Sequence, residues 1–317
     1  MGYADGSTTD GYFVNDLVWY GQVSGNLATM PADASVTFGC GLRQTGNLVS
    51  STFALDGLLG FGASSTSFVS QLASTGNYKK KFAHCLDEKG GGVFAMGDVV
   101  EQTLKTTQLL PNRSHYNVYL ESLQVGNTLL DISKVETIVD SGTTLAYLPG
   151  AMFYPLRETI FASYPNLIVG PIDFLQDCFQ LNESISDIFP TVTFGLENSV
   201  KLEVYPHQYL IPAVEIGWYC LGLQDSGRFG AAVDWIILGE LALSNKLIVY
   251  DLENQVMGFT EYNCSSSIKM RDEQTGRIFD VASHDISAAS GLNLRRLSLF
   301  FLLTYMLQYL IHYNIAT

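Results

Sequence analysis

The segment from Thr137 to Leu145, with the sequence TIVDSGTTL, constrains the fold of this chain more than any other. An apolar run leads directly to Asp140, a Ser-Gly-Thr turn follows, and Leu145 begins a second apolar stretch. β-Branched apolar residues favour a buried strand, and Gly142 permits a tight turn at its end. The sequence therefore predicts a strand that presents Asp140 from a loop. Taken alone, an Asp in this setting can equally be an ordinary turn residue.

The composition favours a mostly β protein. Gly is frequent, with 29 residues, and charged residues make up only 15% of the chain, so long amphipathic helices are scarce. An apolar fraction of 47% in 317 residues suffices for one large domain or two of ordinary size. The formal charge of −14 argues against nucleic acid or an anionic membrane surface as a partner.

No cofactor or metal ion is expected. The histidines are scattered along the chain, and core or surface positions suit them better than catalysis or metal binding. No His-Glu-x-x-His, Gly-x-Ser-x-Gly or Cys-x-x-Cys motif occurs. Gly60-Phe61-Gly62 lacks the third glycine of a dinucleotide-binding fingerprint.

Widely spaced cysteines and glycosylation sequons indicate an oxidising compartment. The cysteines are Cys40, Cys85, Cys178, Cys220 and Cys264, and the Asn-x-Ser sequons begin at Asn112, Asn182 and Asn263. An odd number of cysteines leaves one without a partner, and the sequence alone does not fix the connectivity.

The pattern along the chain predicts two folded units and a C-terminal extension. Residues 1–115 form the first unit, 116–264 the second, 265–290 a polar linker and 291–317 an apolar tail. Strands are predicted over 82–86, 92–96, 117–125, 191–194, 201–204 and 246–251, and helices over 67–73 and 149–164.

An internal repeat relates the two units. Leu58-Leu59-Gly60 and Ile237-Leu238-Gly239 each follow an acidic residue closely, and both are predicted to be buried. Leu238 lies 98 residues after Asp140. The same interval counted back from Leu59 falls before Met1, so we expect the counterpart of Asp140 about 40 residues upstream.

The two ends of the chain differ. Residues 1–6 have neither a basic stretch nor an apolar one, so we expect no signal peptide in this chain. The stretch from Leu297 to Ile311 is predominantly apolar and follows two arginines. It predicts a GPI-attachment signal, with the attachment residue among Ser287, Ala288, Ala289 and Ser290. A tail-anchored helix and a buried terminal helix are the alternatives. A GPI-attachment signal requires a secretory signal at the other end of the protein. We therefore expect a chain truncated at its N-terminus.

The chain resembles the pepsin-like aspartic proteases, in the plant branch with atypical or GPI-anchored members. The motifs that carry the resemblance are Asp140-Ser141-Gly142-Thr143-Thr144, both apolar-apolar-Gly runs, Tyr3-Ala4-Asp5-Gly6-Ser7, Phe38-Gly39-Cys40-Gly41, Phe82-Ala83-His84-Cys85-Leu86 and the stretch 243–259. A lone Asp-Ser-Gly is weak, but the set in this order is specific. The resemblance implies a mostly β, bilobal pepsin-like fold with an incomplete N-terminal lobe.

The resemblance also implies roles for individual residues. Asp140 becomes one half of a catalytic carboxylate pair, on a loop completed by Ser141, Gly142 and Thr143, and Tyr3 lies on a flap over the substrate. Tyr3 can instead pack on the surface, since it is close to the terminus. Cys178 and Cys220 match the disulfide of the C-terminal lobe. Cys40 and Cys85 are predicted to lie on neighbouring strands and to form a second bridge, which leaves Cys264 unpaired.

The function implied is peptide-bond hydrolysis by an endopeptidase whose substrates are peptides or proteins. A single carboxylate cannot share a proton with a partner, so we expect this chain to be inactive. The alternative is a non-catalytic binding or inhibitor protein on the same fold, and self-association of two chains to rebuild the carboxylate pair is a third possibility.

We expect a monomer. The resemblance places full-length members in the secretory pathway and on the extracellular face of the plasma membrane.

Overall fold

The computed structural model describes residues 2, 6–46, 49, 57–76, 78–164, 167, 169–172, 175–213, 217–229 and 235–283. The predicted flap residue Tyr3, the predicted GPI sites Ser287–Ser290 and the apolar tail lie outside the described residues.

Strands dominate the described chain. In its first part they are β1 (Thr8–Gly25), β2 (Ala28–Thr45), β3 (Lys81–Leu86), β4 (Gly92–Met96), β5 (Asp98–Val99) and β6 (Lys105–Gln108). In its middle part they are β7 (Asn117–Val125), β8 (Thr128–Leu130), β9 (Val135–Val139), β10 (Ala146–Leu148), β11 (Gly170–Ile172), β12 (Leu175–Gln180), β13 (Val192–Leu196) and β14 (Val200–Val204). The remaining strands are β15 (Leu210–Pro212), β16 (Trp218–Leu221), β17 (Leu223–Asp225), β18 (Ile236–Leu238), β19 (Lys246–Asp251), β20 (Val256–Glu261), β21 (Ile268–Arg271) and β22 (Ile278–Val281).

The helices are short apart from one. They are α1 (Phe68–Ser74), α2 (Gly150–Phe161), α3 (Ile185–Ile188), α4 (Pro206–Tyr209) and α5 (Glu240–Leu243), with 3₁₀ turns at Glu197–Ser199 and Ser226–Phe229. Helix α2 lies within the predicted helix 149–164, and it buries Met152, Phe153, Leu156, Ile160 and Phe161. No helix in the described part is long and apolar enough to cross a membrane.

The strands form five sheets. The largest has eight strands in the order β14-β13-β7-β9-β18-β10-β17, with β8 added beside β7. A four-stranded sheet, β11-β12-β16-β15, lies in the same part of the sequence, and β1 and β2 form a two-stranded ribbon. Strand β21 pairs with both β5 and β22 in a three-stranded sheet.

The fifth sheet joins two distant segments of the chain, residues 81–108 and 246–261. Its order is β4-β3-β19-β20-β6, so β19 and β20 complete a sheet begun by the first unit. Phe82 pairs with Tyr250 and His84 with Ile248 across β3 and β19. Nearly every side chain of β19 is buried, which is the pattern of a central strand. We call these five strands the joint sheet.

The two apolar-apolar-Gly runs differ, and the expectation that both are buried is wrong. Leu238 is fully buried, whereas Leu58 is 63% and Leu59 is 65% exposed. Strand β18 runs between β9 and β10 and packs against both. Residues 57–62 form no strand, and no described strand pairs with them, so Leu58 and Leu59 stay in contact with solvent, although Phe61 packs against the core.

The predicted polar linker is also partly wrong. Residues 268–281 form the β21–β22 hairpin, and β21 pairs with β5. Ile268 and Met270 are buried beside Cys85 and Cys264. The alternation Ile-Lys-Met-Arg is a strand pattern with one buried face, and the polar composition of the surrounding residues conceals it.

The structure has two disulfides and one free cysteine among the described residues. Cys178 is bonded to Cys220, as the resemblance implies. Cys85 is bonded to Cys264 and Cys40 is free, so the expected Cys40–Cys85 bridge is wrong, as is the expectation that Cys264 is unpaired. Cys40 pairs with Tyr12 in the ribbon, whereas Cys85 lies in the joint sheet next to the chain that leaves β20.

Candidate active site

Strand β9 carries Asp140 to the centre of the large sheet. Its last residues, from Thr137 to Val139, are buried and pair in parallel with β18, and β7 pairs with it on the other side. The Asp140 backbone N–H donates to the carbonyl of Leu238 at 3.0 Å. The backbone on both sides therefore fixes the point at which the carboxylate leaves the sheet.

Two groups of the predicted loop hold the Asp140 carboxylate. The Gly142 N–H donates to Oδ1 at 2.9 Å, and the Thr143 hydroxyl donates to Oδ2 at 2.7 Å. The Thr143 N–H also donates to the Asp140 carbonyl at 3.1 Å, which closes the turn. A side chain at position 142 would place its Cβ 3.2 Å from Oδ1. Each carboxylate oxygen thus has one donor, while Asp140 itself stays partly accessible to solvent.

The backbone of Gly239 packs directly against the loop that bears Asp140. A Cβ at this position would lie 2.1 Å from the carbonyl oxygen of Leu145 and 2.3 Å from that of Thr143. The next residue, Glu240, donates its N–H to the Thr143 carbonyl at 2.7 Å. Only glycine allows this approach of two backbones, and the approach fixes the loop that bears Asp140. Ile237-Leu238-Gly239 thus crosses under the loop, as the motif predicts.

A buried aromatic cluster lies behind the Asp140 loop. The Tyr116 carbonyl accepts from the Val139 N–H at 2.9 Å, and the Tyr116 ring contacts that of Tyr250 edge-on at 4.7 Å. Phe82 stacks on Tyr250 at 4.3 Å. Burial, together with the charges of Tyr116 and Asp140, raises the pKa of Tyr250 well above its ordinary value. No local sequence signal identifies this cluster, because its members come from three distant segments.

The structure brings some of the predicted site residues together and leaves others apart. Asp140, Ser141, Gly142 and Thr143 form one loop. In the part of the chain that is described, no second carboxylate is hydrogen-bonded to Asp140. The same part has no group of three or more side chains that could hold a metal ion.

The three predicted glycosylation sites are accessible. Asn112, Asn182 and Asn263 are all exposed. Asn112 has a left-handed backbone with φ of 57°, and the Asn263 Oδ1 accepts from the Ser265 N–H at 3.2 Å. Both conformations are those of turns, where a side-chain amide is open to a modifying enzyme.

Comparison with known proteins identifies the family. A family model described as "Xylanase inhibitor N-terminal" matches residues 1–98, and one described as "Xylanase inhibitor C-terminal" matches residues 115–261. The chain is 46% identical over 297 residues to aspartic proteinase 39 of Arabidopsis thaliana and 44% identical over 301 residues to aspartic proteinase 36 of the same plant. Each alignment covers 92% of this chain and 62% of the relative, so the chain spans less than two thirds of these proteins.

Solved structures of two 7S globulins share the fold. Conglutin gamma, a basic 7S globulin from lupine seeds, superposes with a TM-score of 0.65 at 21% identity, covering 79% of this chain and 68% of the globulin. Basic 7S globulin from soybean gives a TM-score of 0.63 at 19% identity, covering 78% and 68%. The mostly β, pepsin-like fold expected from the sequence is confirmed. With both family models and the two Arabidopsis relatives in agreement, the chain belongs to the plant pepsin-like aspartic proteinase family.

Proposed function

We propose that Asp140 is one of the two catalytic carboxylates of an aspartic endopeptidase. In this chemistry a water molecule lies between two carboxyl groups. The ionised one accepts a proton from the water while the protonated one polarises the scissile carbonyl. The two groups share one proton because like charges about 3 Å apart do not both ionise easily; pepsin is the standard example.

The geometry at Asp140 is the observation that supports this role most. The backbone of β18, the Gly142 N–H and the Thr143 hydroxyl hold the carboxylate in one orientation, yet its position remains open to solvent. Preorganised donors of this kind keep a reacting group in place without reorganisation during the reaction. Both oxygens of Asp140 are held, Oδ1 by the Gly142 N–H and Oδ2 by the Thr143 hydroxyl.

We further propose that this chain by itself has negligible peptidase activity. The described residues supply one carboxylate to the site, and the proton-sharing mechanism needs two. A non-catalytic binding protein is the second candidate, because a fixed cleft loop with a single carboxylate can bind a partner without cleaving it. Attachment to the membrane through a GPI group at one of residues 287–290 and glycosylation at the three accessible sequons are part of the same proposal for the full-length protein.

Peptide cleavage at acid pH tests the proposal. We expect the purified chain to show no turnover of an unstructured protein substrate between pH 3 and pH 6, and no difference between the wild type and Asp140→Asn. Turnover that pepstatin inhibits and that Asp140→Asn abolishes would contradict the inactivity. Inhibition of a xylanase by both the wild type and Asp140→Asn would favour the binding function.

A further inference from the structure

His84 is a buried histidine that the peptidase mechanism does not use. It lies in the middle of β3, and only 4% of its surface is exposed. Its Nε2 is 3.0 Å from the Tyr250 hydroxyl, and the two rings are 5.5 Å apart. Its Nδ1 is buried and, among the residues that the structure describes, has no hydrogen-bond partner. The histidine therefore has one partner for two ring nitrogens.

The cross-strand neighbours of His84 are apolar. The charged residue of β19 on the same face, Lys246, has its ammonium beside Gln208, Ser244 and Glu261. Phe94 of β4 and Ile248 of β19 flank it in register on the same face of the joint sheet. Lys81 lies three residues before His84 on β3, so its side chain is on the opposite face of the sheet. It forms an ion pair at 2.7 Å with Asp251, its cross-strand neighbour on β19. No carboxylate on these strands thus faces the imidazole, and burial alone lowers the pKa of His84 to about 4.

Tyr250 connects His84 to the loop that bears Asp140. Its phenol lies in the field of the Asp140 carboxylate, and its ring packs against Tyr116, whose carbonyl holds the last residue of β9. A proton on His84 turns both ring nitrogens into donors. One of them would then be a charged donor with no acceptor in an apolar setting, which is strongly unfavourable.

We propose that His84 and Tyr250 form an acid-sensitive latch in the joint sheet beneath Asp140. The neutral imidazole keeps β3 and β19 together, and protonation of the imidazole loosens them. The latch acts on the folded structure whether or not Asp140 catalyses hydrolysis, so its test is independent of the proposed peptidase function. For a complete enzyme of this architecture, the latch would set the lower pH limit at which the site holds its shape.

The pKa of His84 fixes the direction of the effect. An unfolded chain protonates this histidine near pH 6.5, whereas the folded protein resists protonation until about pH 4. The stability that neutral His84 contributes is therefore complete above pH 6.5 and declines as the pH falls towards 4. Below that pH the folded protein also takes up the proton, and the decline from this group ends.

Substitution of glutamine for His84 isolates the latch. Glutamine keeps a polar group near the Tyr250 hydroxyl but does not titrate, and His115→Gln is the matched control because His115 is exposed. We expect the folding equilibrium constant of the wild type, relative to that of His84→Gln, to fall by about 100-fold between pH 7 and pH 4. The ratio of wild type to His115→Gln should change several-fold less.

Urea denaturation of the oxidised full chain at each pH measures these ratios, and proton NMR of the wild-type histidine rings measures the titration itself. We expect one imidazole with a midpoint near 4. Parallel stability profiles for the wild type and His84→Gln, or a titration of all five imidazoles near 6.5, would overturn the proposal. If His84→Gln does not fold, the NMR titration of the wild type still decides it.

Discussion

The same sequence pattern has two different environments in this protein. Leu238, in Ile237-Leu238-Gly239, is fully buried in the centre of an eight-stranded sheet. Leu59, in Leu58-Leu59-Gly60, is 65% exposed and belongs to no strand. The comparison shows that an apolar-apolar-Gly run becomes a core strand only where neighbouring strands supply partners on both sides.

The ribbon of β1 and β2 shows the same contrast on a larger scale. Each of its strands has 18 residues, yet it is a separate two-stranded sheet. Phe13 is 82% and Trp19 is 67% exposed on one of its faces. A two-stranded ribbon cannot bury both faces of its side chains. The large sheet, in contrast, holds Asp140 among buried strands. Equivalent substitutions in the two regions should therefore change the free energy of unfolding by very different amounts.

Alanine at the two equivalent glycines gives the largest expected difference. Gly239→Ala would bring a Cβ to 2.1 Å from a backbone carbonyl, whereas a Cβ at Gly60 meets nothing within 4 Å. We expect Gly239→Ala to destabilise the protein by more than about 4 kcal/mol or to prevent folding. Gly60→Ala should change the free energy of unfolding by less than about 0.5 kcal/mol.

Thermal and urea unfolding of both variants measure this difference. Equal stabilities would show that the loop at Asp140 moves away from position 239 without penalty. The packing described for the active-site loop would then be wrong.

Truncation of the two leucines gives the next largest difference. Leu238→Ala removes a fully buried side chain and leaves a cavity, so we expect a loss of about 2–5 kcal/mol. Leu59→Ala removes a largely exposed side chain, and we expect a change of less than about 0.5 kcal/mol. Urea denaturation at pH 7 with both disulfides intact is the measurement. A loss above about 2 kcal/mol for Leu59→Ala would show that this residue is covered in solution.

The part of the fold that is predictable from the sequence is the part with local signals. The alternation in 117–125 and the apolar run in 246–251 predict β7 and β19, and the helix predicted over 149–164 contains α2. The Asp-Ser-Gly-Thr loop is predictable because its hydrogen bonds join residues at most three positions apart. Each of these elements is specified by neighbours in the chain.

The features that the sequence did not predict depend on long-range register. The Cys85–Cys264 disulfide joins residues 179 positions apart, and it forms because β19 pairs with both β3 and β20. The His84–Tyr250 contact depends on the same pairing. The exposure of Leu58 and Leu59 was missed because an apolar residue is assigned to the core on its own character, while its burial depends on what packs against it.

The hydrogen bonds of two threonines give the smallest and most local comparison. The Thr143 hydroxyl donates to the Asp140 carboxylate at 2.7 Å in the loop, and the Thr37 hydroxyl accepts from the Asn15 amide at 3.2 Å on the exposed ribbon. Valine has nearly the same shape as threonine, with a methyl group in place of the hydroxyl. Hydrogen bonds to charged groups contribute about 1.5–3 kcal/mol, and solvent replaces an exposed neutral one.

We therefore expect Thr143→Val to lower the free energy of unfolding by about 1.5 kcal/mol at pH 6, because Asp140 is only partly shielded from water. Thr37→Val should leave it within about 0.5 kcal/mol, since valine is also a favourable strand residue. Paired urea titrations of the two variants and the wild type measure both values. If both variants match the wild type, the carboxylate of Asp140 is held by its backbone contacts, and Thr143 does not orient it.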